Sequence, residues 1–174
     1  MNALIVYESM FGNTRRIAEA IVDSLRTTGV EAAMTTARKA PSDLSDYRLV
    51  VVGAPTHAHR LPRPKSRMEA VEWAADPHKK LALEPTASGT GVREWLESVM
   101  LVGDSRFAVF STRVDMPRIF TGDACAAMTK GLRRRLADVD AHEEFLVDLD
   151  NHLLDGEEDR AREWAASLIP VTRH

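Results

Sequence analysis

Between residues 6 and 14 the chain reads VYESMFGNT, where an apolar run gives way to a helical pattern. A helix opening at Asn13 or Thr14 directs its unpaired first amides, and the positive end of its dipole, beyond the preceding strand. Ser9 and Thr14 add hydroxyls, and Gly12 lets backbone approach a ligand closely. The combination suits an anion held by oriented dipoles. It has no lysine, so it is not the G-x-x-x-x-G-K-[ST] loop of triphosphate sites, and with Gly12 alone it lacks the G-x-G-x-x-G dinucleotide turn. The plain alternative is a tight strand-to-helix turn with no ligand.

Other residues with chemical potential are more scattered. His57 and His59 would need two or three further ligands to hold a metal, and only Asp76 and His78 lie near in sequence, so no metal is expected. Cys125 stands among alanines near a helix start and reads as core filler. Arg133, Arg134 and Arg135 fall at a helix end, where cations suit the dipole. Arg60, Arg63, Lys65, Arg67, Arg113 and Arg118 fall in two loops that could together ring one mouth. Such a basic rim leans toward an anionic substrate.

The elements that position these residues follow from hydrophobic periodicity. ALIVY (3–7), LVVVGAP (49–55) and FAVFST (107–112) are apolar throughout, as strands buried on both faces are. VEAAMTTA (30–37) and EFLVDLD (144–150) mix in polar residues and read as edge strands. Helical stripes lie at Ile17, Ala18, Ile21, Val22 and Leu25, closed by Gly29, and at Val92, Trp95, Leu96 and Val99. A third covers Ala124, Ala127, Met128, Leu132 and Leu136 behind Thr121 as a cap, and a fourth Ala161, Trp164, Ala165 and Leu168 between Gly156 and Pro170. Strand and helix alternating five times imply right-handed βαβ units in a three-layer, doubly wound α/β fold, with a five-stranded parallel sheet of order 2-1-3-4-5. In that order a ligand sits beyond the carboxyl ends of strands one and three, where the opening stretch falls. The long link of residues 57–91, with an amphipathic piece at 68–75, reads as an insertion at about 57–90 acting as a lid beside the site.

With 174 residues, 44% hydrophobic and 28% charged, the chain supports one domain over 1–174. A net charge of -3 gives no reason to expect nucleic acid. One cysteine excludes an internal disulfide, and no apolar run approaches the roughly 20 residues that span a bilayer. The expectation is a cytoplasmic protein that does not engage a membrane.

IVYESMFGNTRRIAEAI (5–21) resembles the phosphate loop and following helix of the flavodoxin family, and VVGAPTH (51–57) resembles its second flavin loop. A receiver domain shares the strand order, but it needs acidic residues where this chain has Ser9 and Gly53-Ala54-Pro55. By the flavodoxin resemblance, Ser9, Met10, Phe11, Gly12, Asn13 and Thr14 would cradle the phosphate of FMN. Pro55, Thr56, His57 and Ala58, with Ser111, Thr112, Arg113, Val114 and Asp115 of the third loop, would border the flavin. Phe11 stands where the family usually has a third hydroxyl. The loops PTHAHRLP (55–62) and STRVDMPRIFTG (111–122) hold no Trp or Tyr to stack on the ring, leaving His57 or His59 on one side and Phe120 on the other. The resemblance implies a non-covalently bound FMN passing electrons to a redox partner protein, or a small FMN-dependent oxidoreductase such as a quinone reductase. A flavin-free regulatory module on the same fold is the reading from a different class.

Overall fold

The computed structural model describes residues 1–57, 60–100, 104–135 and 137–170. Ala58, His59 and Leu136 lie outside the described residues. Five strands, β1 (Asn2–Tyr7), β2 (Glu31–Thr36), β3 (Leu49–Pro55), β4 (Arg106–Val114) and β5 (Val139–Val147), form one parallel sheet in the order β2-β1-β3-β4-β5. The helices are α1 (Asn13–Thr27), α2 (Pro64–Ala75), α3 (Val92–Ser98), α4 (Arg118–Thr121), α5 (Ala124–Arg133) and α6 (Glu157–Ser167). No helix among the described residues is long and apolar enough to cross a membrane.

Alternate residues of the central strands feed two cores. Ile5, Val51 and Phe110 point to α1 and α6, whereas Val6, Val52 and Val109 point to α3 and α5. Each fully buried side chain of this kind contributes about 1.5–3 kcal/mol. Phe110, Phe145 and Trp164 meet edge to face at centroid separations of 6.1–6.3 Å. Gly53 is obligatory beside them, because a Cβ there would lie 2.0 Å from the Phe110 ring.

Three expectations need correction. β5 spans Val139–Val147 rather than 144–150, because the exposed positions Asp140 and His142 of an edge strand hide its first half from a hydrophobicity reading. No helix joins β2 to β3; the link covers the sheet with Ala37 and Leu44 instead, and Pro41 O accepts the Trp95 indole N–H at 3.0 Å. The strand–helix alternation is therefore incomplete. The cap of α5 is Asp123, whose carboxylate accepts the Ala126 N–H at 2.8 Å, while Thr121 ends α4.

Candidate functional site

The carboxyl ends of β1, β3 and β4 converge on one cleft, and hydrogen bonds tie their loops together. Glu8 N–H donates to Gly53 O at 2.9 Å and Thr56 N–H to Thr112 O at 2.8 Å. In the first loop Gly12 adopts φ +93°, a left-handed conformation that favours glycine, and serves as N-cap of α1. Its own N–H donates to Ser9 Oγ at 3.1 Å. Since that hydroxyl is the acceptor here, its proton remains free to donate. The first rung of α1 runs from Arg16 N–H to Gly12 O at 3.0 Å, so the amides of Asn13, Thr14 and Arg15 precede the ladder and face outward.

Two further bonds set the loop against its neighbours. Thr14 Oγ1 lies 2.8 Å from Thr112 Oγ1, a buried pair that shares one proton and keeps a second to offer. The Asn13 side-chain amide donates to Asn151 O at 2.8 Å, tying α1 to the segment after β5. Glu84 N–H donates to Met10 O at 2.8 Å, and the Glu84 carboxylate pairs with Arg15 at 3.0 Å.

Beyond this seat opens a cleft of about 280 Å³. Of the residues expected from sequence, Ser9, Met10, Phe11, Asn13, Thr14, Pro55, Thr56, His57, Thr112, Arg113 and Val114 line it. Gly12, Ser111 and Asp115 do not: Gly12 acts through its backbone turn, Ser111 is fully buried against Cys125 Sγ at 3.4 Å, and Asp115 binds Val147 O through its amide. Trp73, Met116, Phe120, Thr121, Val147, Leu149 and Asn151 complete the lining. Trp73 is the addition of most consequence. It reaches the cleft from α2, in the long link, and its ring lies 4.9 Å from that of His57, tilted by 44°. A tryptophan, which neither loop 55–62 nor loop 111–122 contains, thus reaches the cleft from the long link, and its signal in sequence was a lone Trp in the amphipathic piece of that link.

The wall has buried polar atoms without protein partners. Thr56 Oγ1 and His57 Nε2 are both buried and make no hydrogen bond among the described residues. Burial holds the His57 imidazole below its ordinary pKa, opposed by Glu69, whose carboxylate lies 3.6 Å away. It is therefore neutral at pH 7 and donates or accepts according to what fills the cleft. Cys125 is pushed up to about 12 by burial, which leaves it a thiol. Among the described residues no group of three or more His, Cys, Asp or Glu is placed to hold a metal.

Of the six cations expected to ring the mouth, Arg113 alone lines the cleft, while Arg60, Arg63 and Lys65 are exposed away from its lining. Arg67 is buried between Glu8 at 2.6 Å and Glu94 at 2.8 Å. Arg113 and Arg118 both hold Glu144, at 3.0 and 2.7 Å. The long link packs on the body of the protein: Pro64 opens α2, Arg67 anchors it below the first loop, and Ala70 and Ala87 pack on Met10. The mouth itself is apolar and exposed, with Leu149 82%, Ile119 81% and Phe120 60% accessible.

A model of the flavodoxin domain matches residues 4–68. No curated protein matches the chain in sequence. Among solved structures, a flavodoxin from the domain Archaea is 15% identical with a TM-score of 0.62, covering 97% of this chain and 96% of that one. Oxidised Flavodoxin 1 from Bacillus cereus is 17% identical, TM-score 0.62, over 95% of both chains. Rubredoxin oxygen:oxidoreductase from Desulfovibrio gigas is 15% identical, TM-score 0.62, over 94% of this chain and 34% of its own. These likenesses show that the chain has the flavodoxin-like fold, and the flavodoxin-domain match covers its first part, residues 4–68.

Proposed function

We propose that the cleft holds FMN without a covalent bond and that the protein transfers electrons through it. The observation that carries this reading is the seat at the start of α1: three outward amides, from Asn13 to Arg15, with the Ser9 hydroxyl and the Thr14–Thr112 pair beside them. Such a seat takes one terminal phosphate by charge-assisted hydrogen bonds and needs no metal. One phosphate favours FMN over FAD, whose pyrophosphate would want a second turn. The apolar cleft beside it suits a flat ring, with His57 and Trp73 on one wall and Phe120 on another, and the unpartnered Thr56 hydroxyl offers a hydrogen bond to the ring's polar edge. Bound flavin supplies one- and two-electron transfer; the protein's part is to bind it, exclude water and set its potential.

The chain 1–174 then acts as one flavodoxin-like domain whose 57–90 insertion contributes Trp73 to the flavin wall. With Arg67, Arg113 and Arg118 engaged by carboxylates, the mouth offers an apolar contact surface. We read the acceptor as a redox partner protein that meets the mouth through apolar side chains, or a quinone-like molecule of the same character, in place of an anionic substrate.

The test is titration of the purified chain with FMN and with riboflavin. Ser9→Ala combined with Thr14→Ala removes two hydroxyl partners of a charged acceptor, each worth about 1.5–3 kcal/mol. FMN affinity is expected to fall at least about tenfold, and riboflavin affinity to stay. Equal losses for the two ligands would sink the assignment.

A further inference from the structure

Away from the cleft, α3 and α5 pack side by side with a groove of about 450 Å³ between them. Its floor is aliphatic, made by Leu61, Leu96 and Ala127, and deepened at Gly131, where a Cβ would sit 3.3 Å from Leu96. Its rim carries Arg93, Lys130, Arg134 and Arg135 against one carboxylate, Glu97. Lys130 and Arg134 also line a second groove, of about 620 Å³, with Arg133 and His142 opposite Asp123.

Among the described residues, none of Arg93, Lys130, Arg133, Arg134 and Arg135 takes part in a salt bridge. Two are aimed by carbonyl oxygens instead. Arg93 donates to Leu61 O at 2.8 Å and to Pro62 O at 3.2 Å, and Arg135 to Glu97 O at 3.0 Å and Val99 O at 2.6 Å. A guanidinium already held in place keeps its remaining donors for a partner and loses less freedom on meeting it. In a chain of net charge -3, so many unpaired cations around one groove form a local feature.

We propose that this groove docks an acidic protein segment that sets an aliphatic side chain on the Leu61–Leu96–Ala127 floor, with its carboxylates on Arg93, Lys130 and Arg134. The observations favour protein over nucleic acid. Among the described residues no Phe, Tyr or Trp lines either groove and the aliphatic floor has no ring at all, so bases find little on which to stack, while an aliphatic floor flanked by cations matches an amphipathic acidic helix. The rim charges also speed encounter with such a partner and make it salt-dependent.

The test uses the full chain and three fluorescent probes: a short helical peptide of Glu and Leu, the same peptide with Lys for Glu, and an oligothymidylate of similar length. The acidic peptide is expected to bind, more weakly as salt rises, and the basic peptide not to. Lys130→Glu with Arg134→Glu, both exposed positions, should weaken binding about tenfold or more while the chain stays folded, thermal unfolding falling only slightly because the two cations sit at the C-terminal end of α5. Ala127→Gln, which fills the floor without altering rim charge, should weaken it as well. The proposal is overturned if the acidic peptide fails to bind, if either variant binds it as the wild type does, or if the oligothymidylate binds more tightly than the peptide.

Discussion

Two arginine–carboxylate clusters flank the cleft with opposite charge balance. On the first-loop side a single arginine, Arg67, lies between Glu8 and Glu94; on the third-loop side a single carboxylate, Glu144, lies between Arg113 and Arg118. Their exposure differs as much as their stoichiometry. The Arg67 and Glu8 side chains are 4% and 5% accessible, so neither can turn to water, whereas Arg118 is 59% accessible and can. The first cluster also draws in backbone: Val92 N–H donates to Glu8 and Gly91 N–H to Glu94, both at 2.9 Å. It pins α2, α3 and the end of β1 into one unit. The second leaves Glu144 Oε1 buried with no partner among the described residues and Arg118 largely in solvent, a looser latch where the first is a pin.

The largest expected effect comes from breaking the pin. Arg67→Met leaves Glu8 buried and uncompensated, which costs about 3–5 kcal/mol in such settings, measurable by urea unfolding. Adding Glu8→Gln should recover a large part of that loss. If Arg67→Met is neutral alone, the cluster is not a pin. The pair also has an acid limit. Burial alone would raise the Glu94 carboxyl, yet hydrogen bonds from Arg67, from Gly91 and from its own amide outweigh it and hold the group below its ordinary value. A depressed carboxylate contributes stability that is fully present above the unfolded value, about 4.3, and is lost as pH falls through the folded one. Glu94→Gln should therefore flatten the stability profile below about pH 4.

Glu144→Gln tests the latch and should cost less, about 1–3 kcal/mol, because Arg118 escapes to solvent and the mostly buried Arg113 keeps its hydrogen bonds to Val114 O and Met116 O. It should also free Arg113 beside the cleft. A cation there favours the more negative, reduced state of a bound flavin, so the second reduction step should shift positive, and less so at high salt. An unchanged potential with FMN bound would mean that Arg113 remains turned away.

A pair of glycines separates backbone cost from ligand cost on the two sides. Gly12 has φ +93° and Gly122, after α4, φ +79°. Alanine costs roughly 1–2 kcal/mol of left-handed strain at Gly12, and about 1–3 kcal/mol at Gly122, whose ψ of -167° puts it in the extended positive-φ region that is nearly glycine's alone. Only Gly12→Ala should also weaken FMN, because its Cβ would crowd Glu84 Oε1 at 3.1 Å and shift the turn that aims the amides. Comparable loss of FMN affinity in both would mean that the seat responds to general destabilisation.

Much of this was legible in sequence because the signals were local. Three apolar runs defined the central strands, and the hydroxyl–glycine–helix spacing marked the seat. What escaped depended on contacts distant in the chain. Nothing beside Arg67 in sequence indicates that Glu8 and Glu94 would enclose it, and nothing beside Arg113 points to Glu144. Trp73, Leu149 and Asn151 enter the cleft from elements whose placement depends on packing. β5 was displaced in the reading because an edge strand alternates where a central strand does not.

The smallest effect concerns His57, which lies between the two sides and faces Glu69 from α2, with Glu8 of the pin contributing at longer range. Burial lowers its pKa more than these carboxylates raise it. The unfolded chain, with an ordinary value near 6.5, thus takes up a proton before the folded chain does. Stability is fully present above about pH 6.5 and falls as pH drops toward the folded value, where the loss levels off. His57→Gln removes that proton difference while keeping a polar group on the wall. Urea midpoints measured from pH 7.5 to 5.5 should decline in wild type and stay nearly level in the variant. If the wild type instead gains stability as pH falls, the Glu69 and Glu8 charges outweigh burial, and the first-loop side is dominated by its carboxylates rather than by its dryness.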